Sequence, residues 1–171
     1  MKVFPCIVLA LLPFSQVHAQ KTMEGTLEKF NSESVPYISV DTLAAKNDMA
    51  LLDARKKEEF EVSHLNGAFW VGYRDFSLDR VLVKFPDKST GIVVYCSVGV
   101  RSEKIGEQLI RAGYSNVKNL YGGIFEWKNH GYPVYDKAGT ETNRVHAFSK
   151  KWGKLLTKGV KVYDKKEPDD P

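Results

Sequence analysis

The sequence predicts an α/β domain with a mostly parallel central sheet and helices on both faces. Short apolar runs rich in β-branched residues alternate with segments whose apolar residues recur at helical spacing. The composition is that of a folded domain, because 43% of the 171 residues are hydrophobic and 27% are charged. A chain of this length can bury one sizeable core, so we expect a single α/β domain.

Residues 1–19 have the features of a signal peptide. Lys2 gives a basic start, the following run is almost all apolar, and Val17 and Ala19 are small residues suited to a signal peptidase. We expect cleavage near Ala19 and a secreted or periplasmic protein, with a buried amino-terminal strand or helix as the alternative. The apolar run is too short for stable membrane insertion. Residues 20–36 are mostly polar, which favours a leader that lies against the domain or is partly ordered.

The α/β domain is predicted over residues 37–135. Its expected strands cover 37–40, 49–53, 68–71, 92–95 and 116–120, and its expected helices cover 41–45, 56–62, 76–85, 102–112 and 124–129. Asp41 is placed to cap the first of these helices, and Phe60 is expected to face inward on the second. Gly113 is expected to end the fourth helix in a left-handed conformation.

Residues 136–171 are predicted to form an extension to the domain. A linker rich in turn residues comes first, and five apolar residues then recur at helical spacing with lysines opposite them: Val145, Phe148, Trp152, Leu155 and Leu156. This spacing predicts an amphipathic helix docked on the domain. A basic membrane-surface helix and an element that binds a protein partner are the alternatives. We expect residues 165–171 to be mobile.

A reactive cysteine is predicted where the strand over residues 92–95 meets a glycine-containing loop and a helix. Cys96 is expected at the carboxyl end of that strand, where α/β sheets usually hold their ligands. Backbone N–H groups of the loop, the amino end of the helix and the charge of Arg101 all favour the thiolate. We therefore expect the pKa of the thiol to lie below that of a free cysteine. The alternative is that Cys96 is a small buried hydrophobic residue.

The number of cysteines supports the reactive interpretation. The chain has two, and removal of residues 1–19 takes away Cys6, so Cys96 is left without an internal disulfide partner. A secreted protein that keeps a single thiol either pairs it with another molecule or uses it in chemistry. The net charge of +4 is small and dispersed, which argues against a nucleic-acid partner.

Several short motifs follow one another in a characteristic order. They are Leu51-Leu52-Asp53-Ala54-Arg55, Glu59-Phe60, His64-Leu65-Asn66-Gly67-Ala68, Cys96-Ser97-Val98-Gly99-Val100-Arg101-Ser102, Leu120-Tyr121-Gly122-Gly123-Ile124-Phe125-Glu126-Trp127 and Gly131-Tyr132-Pro133-Val134. This series resembles the rhodanese (sulfurtransferase) family over residues 37–135. The resemblance implies the rhodanese-like α/β fold and places Cys96 where that family has its nucleophile.

The resemblance also implies sulfur transfer in two half-reactions. Cys96 would take a sulfane sulfur from a small donor such as thiosulfate, hold it as a persulfide and pass it to cyanide or a thiol. The residues expected to bind the donor and the persulfide form the loop: Ser97, Val98, Gly99, Val100 and Arg101. Arg101 is the candidate for attracting an anionic donor, because its planar fork matches a pair of sulfonate oxygens. The alternative is a surface arginine that pairs with a glutamate of a helix.

Three residues outside the loop are expected to support the site. Asp53 and Arg55 are placed to form an ion pair that props the loop. His64 is expected to stabilise a turn, with a role as general base as the alternative. His130 and His146 have no metal-like spacing with each other or with the cysteine, so neither a metal nor another cofactor is predicted.

Two alternatives to sulfur transfer stay open. The fold can serve as a non-catalytic binding or sulfur-carrier module, whereas a thiol-redox relay would need a second cysteine. Phosphatases and arsenate reductases of similar fold place one more residue between their cysteine and arginine than the four that separate Cys96 from Arg101. Because the tighter ring suits one sulfur atom better than a tetrahedral oxyanion, we expect negligible phosphatase activity.

Overall fold

The computed structural model describes residues 22–46 and 48–164, and a five-stranded sheet forms their centre. The strand order is β1 (Tyr37–Ile38), β5 (Val117–Leu120), β4 (Ile92–Tyr95), β2 (Ala50–Asp53) and β3 (Phe69–Trp70). Every pair of neighbouring strands is parallel, so the carboxyl ends of the strands meet at one edge of the sheet. The predicted α/β class with a mostly parallel sheet is confirmed.

Six helices surround this sheet. They are α1 (Met23–Phe30), α2 (Val40–Ala44), α3 (Lys57–Val62), α4 (Leu78–Lys84), α5 (Val100–Arg111) and α6 (Gly123–Asn129). Helices α2 to α5 each connect two strands, which is the connection that parallel pairing requires. Gly113 follows the end of α5 with a φ of +92°, the left-handed conformation expected from the sequence.

Strand β4 is buried along its whole length, and its side chains alternate between two apolar clusters. Val93 and Tyr95 pack in the cluster that includes residues of α2 and α6. Val94 and Cys96 pack in the cluster that includes residues of α4 and α5. Because successive side chains of a strand point to opposite faces, the two clusters show that helices cover both sides of the sheet.

Two local predictions about the helices are wrong. Helix α2 is capped by Ser39, whose hydroxyl accepts a hydrogen bond of 3.1 Å from the amide of Thr42, and Asp41 lies inside the first turn. Serine and aspartate are both good N-caps, and Ser39 takes the N-cap position because its backbone is extended there. In α3 the buried side chain is Glu59, because it pairs with an arginine of α5, while Phe60 is only half-buried.

The segment before β1 packs against the domain. Helix α1 buries Leu27, and the amides of Ser32 and Ser34 each donate to the carboxylate of Glu103 in α5, at 3.2 and 3.1 Å. This helix was not predicted from the sequence. The proposed signal peptide, residues 1–19, lies outside the described residues. Within the described ranges, no helix has both the length and the apolar character needed to cross a membrane.

The predicted amphipathic helix over residues 145–156 is wrong. The extension instead contains β6 (Val134–Tyr135) paired with β7 (Glu141–Thr142), and β8 (Arg144–His146) paired with β9 (Val160–Val162), with a 3₁₀ turn at Gly153–Leu155. Val145 and Ala147 are both buried two residues apart, as in a strand, so the apolar spacing fits either structure. A φ of +62° at Phe148 then interrupts any helical path. The predicted mobile tail, residues 165–171, lies outside the described residues.

The start of α6 lies directly beneath the loop that follows β4. The amides of Ile124 and Phe125 donate to the carbonyl oxygens of Cys96 and Ser97, at 2.9 and 3.1 Å. Gly123 has a φ of +54°, and a Cβ atom there would overlap the carbonyl oxygen of Cys96. This position therefore needs glycine for its conformation and for the close approach of two backbones.

We expect the substitution Gly123→Ala to destabilise the protein by about 3 kcal/mol, because the new methyl group meets backbone atoms that cannot move aside. The matched control is Gly131→Ala, which has a φ of +91° and no atom within 4 Å of the added Cβ. The control carries only the left-handed strain, worth about 1–2 kcal/mol. Urea unfolding of both variants measures the difference, and equal losses of stability would contradict the close approach.

Candidate active site

The thiol of Cys96 lies where β4 ends and α5 begins. The amide of Gly99 donates a hydrogen bond to Sγ over 3.2 Å, and Ser102 reaches the same atom with its hydroxyl, at 3.5 Å, and with its amide. Gly99 adopts a φ of +111°, which turns the short loop back toward the sulfur. The cup of backbone donors expected from the sequence is thus built by two residues of the loop and the first turn of the helix.

The environment of Cys96 favours the thiolate. Burial of the thiol opposes ionisation and is the strongest single influence on its pKa. The charge of Arg101, the hydroxyl and amide of Ser102 and the amide of Gly99 act in the opposite direction and together outweigh burial. The pKa of Cys96 therefore lies below its ordinary value, in the direction predicted from the sequence.

A second set of hydrogen bonds holds the Gly99 peptide in place. The carbonyl oxygen of Gly99, in the peptide after the one that reaches the sulfur, accepts from the side-chain amides of Asn119 and Asn31, at 2.8 and 3.0 Å. Asn119 also accepts a 2.7 Å hydrogen bond from the hydroxyl of Ser102. Asn119 was missed by sequence reasoning, although an asparagine inside an apolar strand was an available signal. Ser102 was part of the quoted loop motif but received no role.

Arg101 is bound by a buried carboxylate. Its Nη1 and Nη2 atoms donate to the two carboxylate oxygens of Glu59, at 2.7 and 2.9 Å, and Nη2 also reaches the hydroxyl of Ser97 at 2.9 Å. The expectation that the fork of Arg101 is free to bind two oxygens of a donor is therefore wrong. Glu59 belongs to a quoted motif, but nothing in the sequence showed that it would reach the loop.

Glu59 is ionised at neutral pH despite its burial. Desolvation raises its pKa and is the strongest influence, but the hydrogen bonds and charge of Arg101, the charge of Arg55 and the amide of Lys56 lower it. The result is a pKa of about 2. Glu59 therefore carries a full negative charge that offsets the positive charge of Arg101 beside the thiol.

The three residues expected to support the site form a separate cluster. Asp53 and Arg55 are in contact over 2.6 Å and are fully buried, so an ion pair is present where the sequence placed one. Arg55 donates to the carbonyl oxygen of Ser63 after α3, at 2.6 Å, and not to the Cys96 loop. The Nδ1 atom of His64 lies 3.0 Å from the carbonyl oxygen of Phe60, and the two rings stack. The backbone of His64 pairs with that of Tyr135 in an isolated antiparallel bridge, so His64 lies just before the turn at residues 66–67.

A small cavity of about 110 Å³ opens over the thiol, and we call it the Cys96 pocket. Its lining residues are Cys96, Ser97, Val98, Val100, Arg101, Phe148 and Trp152. Gly99 is the one predicted loop residue that does not line the pocket. It contacts the sulfur through its backbone amide. Phe148 and Trp152 come from the extension and were assigned to a helix from the sequence, so their position at the site was missed. No group of acidic, histidine and cysteine side chains suited to a metal occurs in the described part of the chain.

The fold and the cysteine loop define an α/β domain whose reactive thiol lies at a strand end. Residues 39–130 match the family described as Rhodanese-like domain, which is more than half of the chain. The chain therefore belongs to the rhodanese-like domain family, as its motifs indicated.

Curated relatives share this domain within longer proteins. The tRNA uridine(34) hydroxylase of Streptococcus pneumoniae serotype 19F (strain G54) is 39% identical over 82 residues, which are 45% of this chain and 24% of that protein. The tRNA uridine(34) hydroxylase of Enterococcus faecalis (strain ATCC 700802 / V583) is 31% identical over 114 residues, 57% of this chain and 35% of that protein. The chain thus spans about a quarter to a third of the length of these relatives.

Solved structures show the same fold. The thiosulfate sulfurtransferase from Pseudomonas aeruginosa superposes with a TM-score of 0.57 at 24% identity, over 78% of this chain and 26% of that chain. The rhodanese-like domain from the Anabaena sp. Alr3790 protein gives a TM-score of 0.53 at 25% identity, over 59% of this chain and 79% of that chain. The likeness to the Pseudomonas enzyme shows the fold alone.

We expect Arg101→Gln to raise the pKa of Cys96, because the thiolate loses a neighbouring positive charge and keeps the Glu59 carboxylate. The rate of alkylation by iodoacetamide, measured as a function of pH, reports this pKa as its midpoint. Arg111→Gln, at the exposed end of α5, is the matched control and leaves the midpoint unchanged. An unshifted midpoint in Arg101→Gln would show that the arginine does not stabilise the thiolate.

The Glu59 carboxylate makes stability depend on pH. Its folded pKa of about 2 lies below its ordinary value of 4.5, so its contribution is complete above pH 4.5 and is lost as the pH falls toward 2. A shift of this size corresponds to roughly 3 kcal/mol. We expect the stability advantage of the wild type over Glu59→Gln to shrink across this window in urea unfolding. The exposed neighbour variant Glu58→Gln is the control, and a pH-independent difference for Glu59→Gln would count against the buried ion pair.

Proposed function

We propose that this protein is a sulfurtransferase that moves a sulfane sulfur from a small donor to cyanide or a thiol through a persulfide on Cys96. The observation that carries the proposal is the Sγ atom of Cys96, which receives the Gly99 amide at 3.2 Å and borders a small cavity. A thiol with a lowered pKa at such a place is a nucleophile with room for one small partner. Membership of the rhodanese-like domain family supports this chemistry.

In the first half-reaction the Cys96 thiolate attacks the outer sulfur of a donor such as thiosulfate. A bond forms between Sγ and that sulfur, and the bond to the sulfonate sulfur breaks with its electron pair leaving as sulfite. In the second half-reaction cyanide or a thiolate attacks the outer sulfur of the persulfide. The sulfur–sulfur bond breaks and its electron pair restores the Cys96 thiolate, so neither step needs an oxidant or a reductant.

The groups around the sulfur fit both states of the cysteine. The amides of Gly99 and Ser102 are fixed before reaction, so they stabilise the negative charge of the thiolate and that of the persulfide without reorganising. Arg101 adds positive charge near the same atoms while Glu59 keeps its side chain in one position. Asp53, Arg55 and His64 act at a distance on α3, the helix that carries Glu59. Arg55 donates to the carbonyl oxygen of Ser63 at its end, and His64 lies against that of Phe60 within it.

A second candidate is a role in tRNA modification, because the curated relatives are named tRNA uridine(34) hydroxylase and reach 39% identity. Two observations favour sulfur transfer. The shared segment is 24% of the Streptococcus protein, so most of that protein has no counterpart in the match. In addition, the Cys96 pocket is small, at about 110 Å³, and most of its lining residues are apolar, which suits a small sulfur donor better than a polar nucleobase.

The compartment in which the protein acts is part of the proposal. We infer that the chain is secreted or periplasmic after cleavage near Ala19. The support for this inference is the sequence of residues 1–19, with its basic start, apolar run and small residues before the cleavage point.

We expect mass spectrometry to detect the gain of one sulfur atom after the purified protein is incubated with thiosulfate. Addition of cyanide should remove that sulfur and release thiocyanate. Cys96→Ala should do neither, because the thiolate that forms the new bond is absent. A wild-type protein that gains no sulfur from any small donor would instead favour a non-catalytic binding or carrier module.

A further inference from the structure

Two aromatic residues of the extension complete the Cys96 pocket. Phe148 and Trp152 lie beyond residue 130, where the family match ends, and both line the cavity over the thiol. The Phe148 ring lies over the guanidinium of Arg101, with 5.1 Å between the ring centroid and Cζ. The Trp152 ring packs against Phe30 of α1, with ring centroids 5.8 Å apart. We call Phe148 and Trp152 the aromatic wall.

The aromatic wall is held in position by specific contacts. The amide of Phe148 donates to the Nδ1 atom of buried His146 over 3.2 Å, and the Nε2 atom of the same ring lies 3.0 Å from the carboxylate of Asp164. The φ of +62° at Phe148 is a left-handed conformation that costs about 1 kcal/mol or more in a residue other than glycine. A strained aromatic residue fixed at the edge of a reactive site indicates that its position has a function.

Charges around the Cys96 pocket disfavour a doubly negative donor. Arg101 supplies one positive charge, whereas Glu59 and the Cys96 thiolate supply two negative charges. Glu59 and Ser97 accept from three of the five N–H donors of Arg101, so its Nη1–Nη2 fork is not free for a pair of sulfonate oxygens. A dianion would therefore enter a site that is already net negative and would lose water on entering.

The rest of the pocket surface is apolar and close to the sulfur. Val98, Val100 and the aromatic wall form most of the lining. A volume of about 110 Å³ leaves room for a group the size of a methyl or ethyl beside the reacting sulfur. Apolar burial of such a group is favourable by about 0.8 kcal/mol per carbon, or about four-fold in an equilibrium constant.

We propose that the aromatic wall selects small organic sulfane donors, with a short alkyl group and at most one negative charge, over inorganic thiosulfate. This inference rests on the proposed sulfur transfer and names its donor class. With an alkyl thiosulfonate the Cys96 thiolate attacks the outer sulfur and the new sulfur–sulfur bond forms. The bond to the sulfonyl sulfur then breaks, and its electron pair leaves with the alkyl sulfinate.

The test compares methanethiosulfonate with thiosulfate. The two donors have the same shape, because one methyl group of the first replaces one charged oxygen of the second. Values of kcat/KM are measured for both donors from thiocyanate formation, and the ratio of the two values is compared between variants. In Phe148→Ala we expect this ratio to fall about four-fold or more, because only methanethiosulfonate loses an apolar contact, whereas the lost contact between the ring and Arg101 bears on both donors.

Two further variants separate selectivity from folding. Phe148→Leu keeps an apolar side chain on the same backbone and should retain most of the wild-type ratio. Val83→Ala removes apolar surface from an 84% exposed position of α4 outside the pocket and should leave the ratio unchanged. An unchanged ratio in Phe148→Ala, with both donors still active, would overturn the selectivity and leave sulfur transfer intact.

Failure of the proposed function has a different signature. If the wild type transfers sulfur from neither donor, calorimetry of both donors with Cys96→Ala tests the aromatic wall without any reaction. Tighter binding of methanethiosulfonate than of thiosulfate, lost when Phe148→Ala is added, would support the wall. Equal binding of the two donors would overturn it.

Discussion

The hydrogen bond from the Gly99 amide to the sulfur of Cys96 is the contact on which the site depends. A thiol that is 1% exposed would stay neutral in apolar packing, because burial disfavours the charged form. The backbone of the loop is fixed at Gly99 itself, because Asn119 and Asn31 bind the carbonyl oxygen of the residue whose amide reaches the sulfur. The first amides of α6 hold the loop from below through the carbonyl of Cys96. Two helix ends and a buried asparagine thus make ionisation of a buried sulfur possible.

The pair of Arg101 and Glu59 gives the site a fixed charge and limits what that charge can do. Removal of one partner from a buried ion pair leaves the other charge uncompensated, which is why such pairs are sensitive to single substitutions. Glu59 keeps the guanidinium near the thiolate, where it lowers the pKa of Cys96. The same contact takes up the donor groups that would otherwise bind an incoming anion. In the proposed reaction, this contact leaves recognition of the donor to the apolar part of the Cys96 pocket.

Sequence reasoning succeeded where structure is decided locally. Apolar runs gave the strands of the sheet, and the strand–loop–helix pattern gave the position of Cys96 and the direction of its pKa shift. It failed where contacts join distant segments. The bond between Arg101 and Glu59 spans 42 residues, and no local pattern shows that a glutamate beside Phe60 is buried by an arginine. The choice of Ser39 over Asp41 as a cap was likewise undecided, since both are good caps.

Contacts between distant segments also explain why the structure of the extension was predicted wrongly. Its apolar spacing fits a helix, but the pairing of β8 with β9 and the contact between Phe148 and His146 override that preference. Local spacing therefore gave no sign that Phe148 and Trp152 would reach the thiol. Residues 39–130 define the family, yet the Cys96 pocket is closed by residues outside that range. The segments matched by the curated relatives cover 45% and 57% of this chain, so the comparison with these proteins concerns only the shared domain. In the proposed reaction, the chemistry of the sulfur belongs to the common domain, whereas the choice of donor belongs to the part of the chain that the family match leaves out.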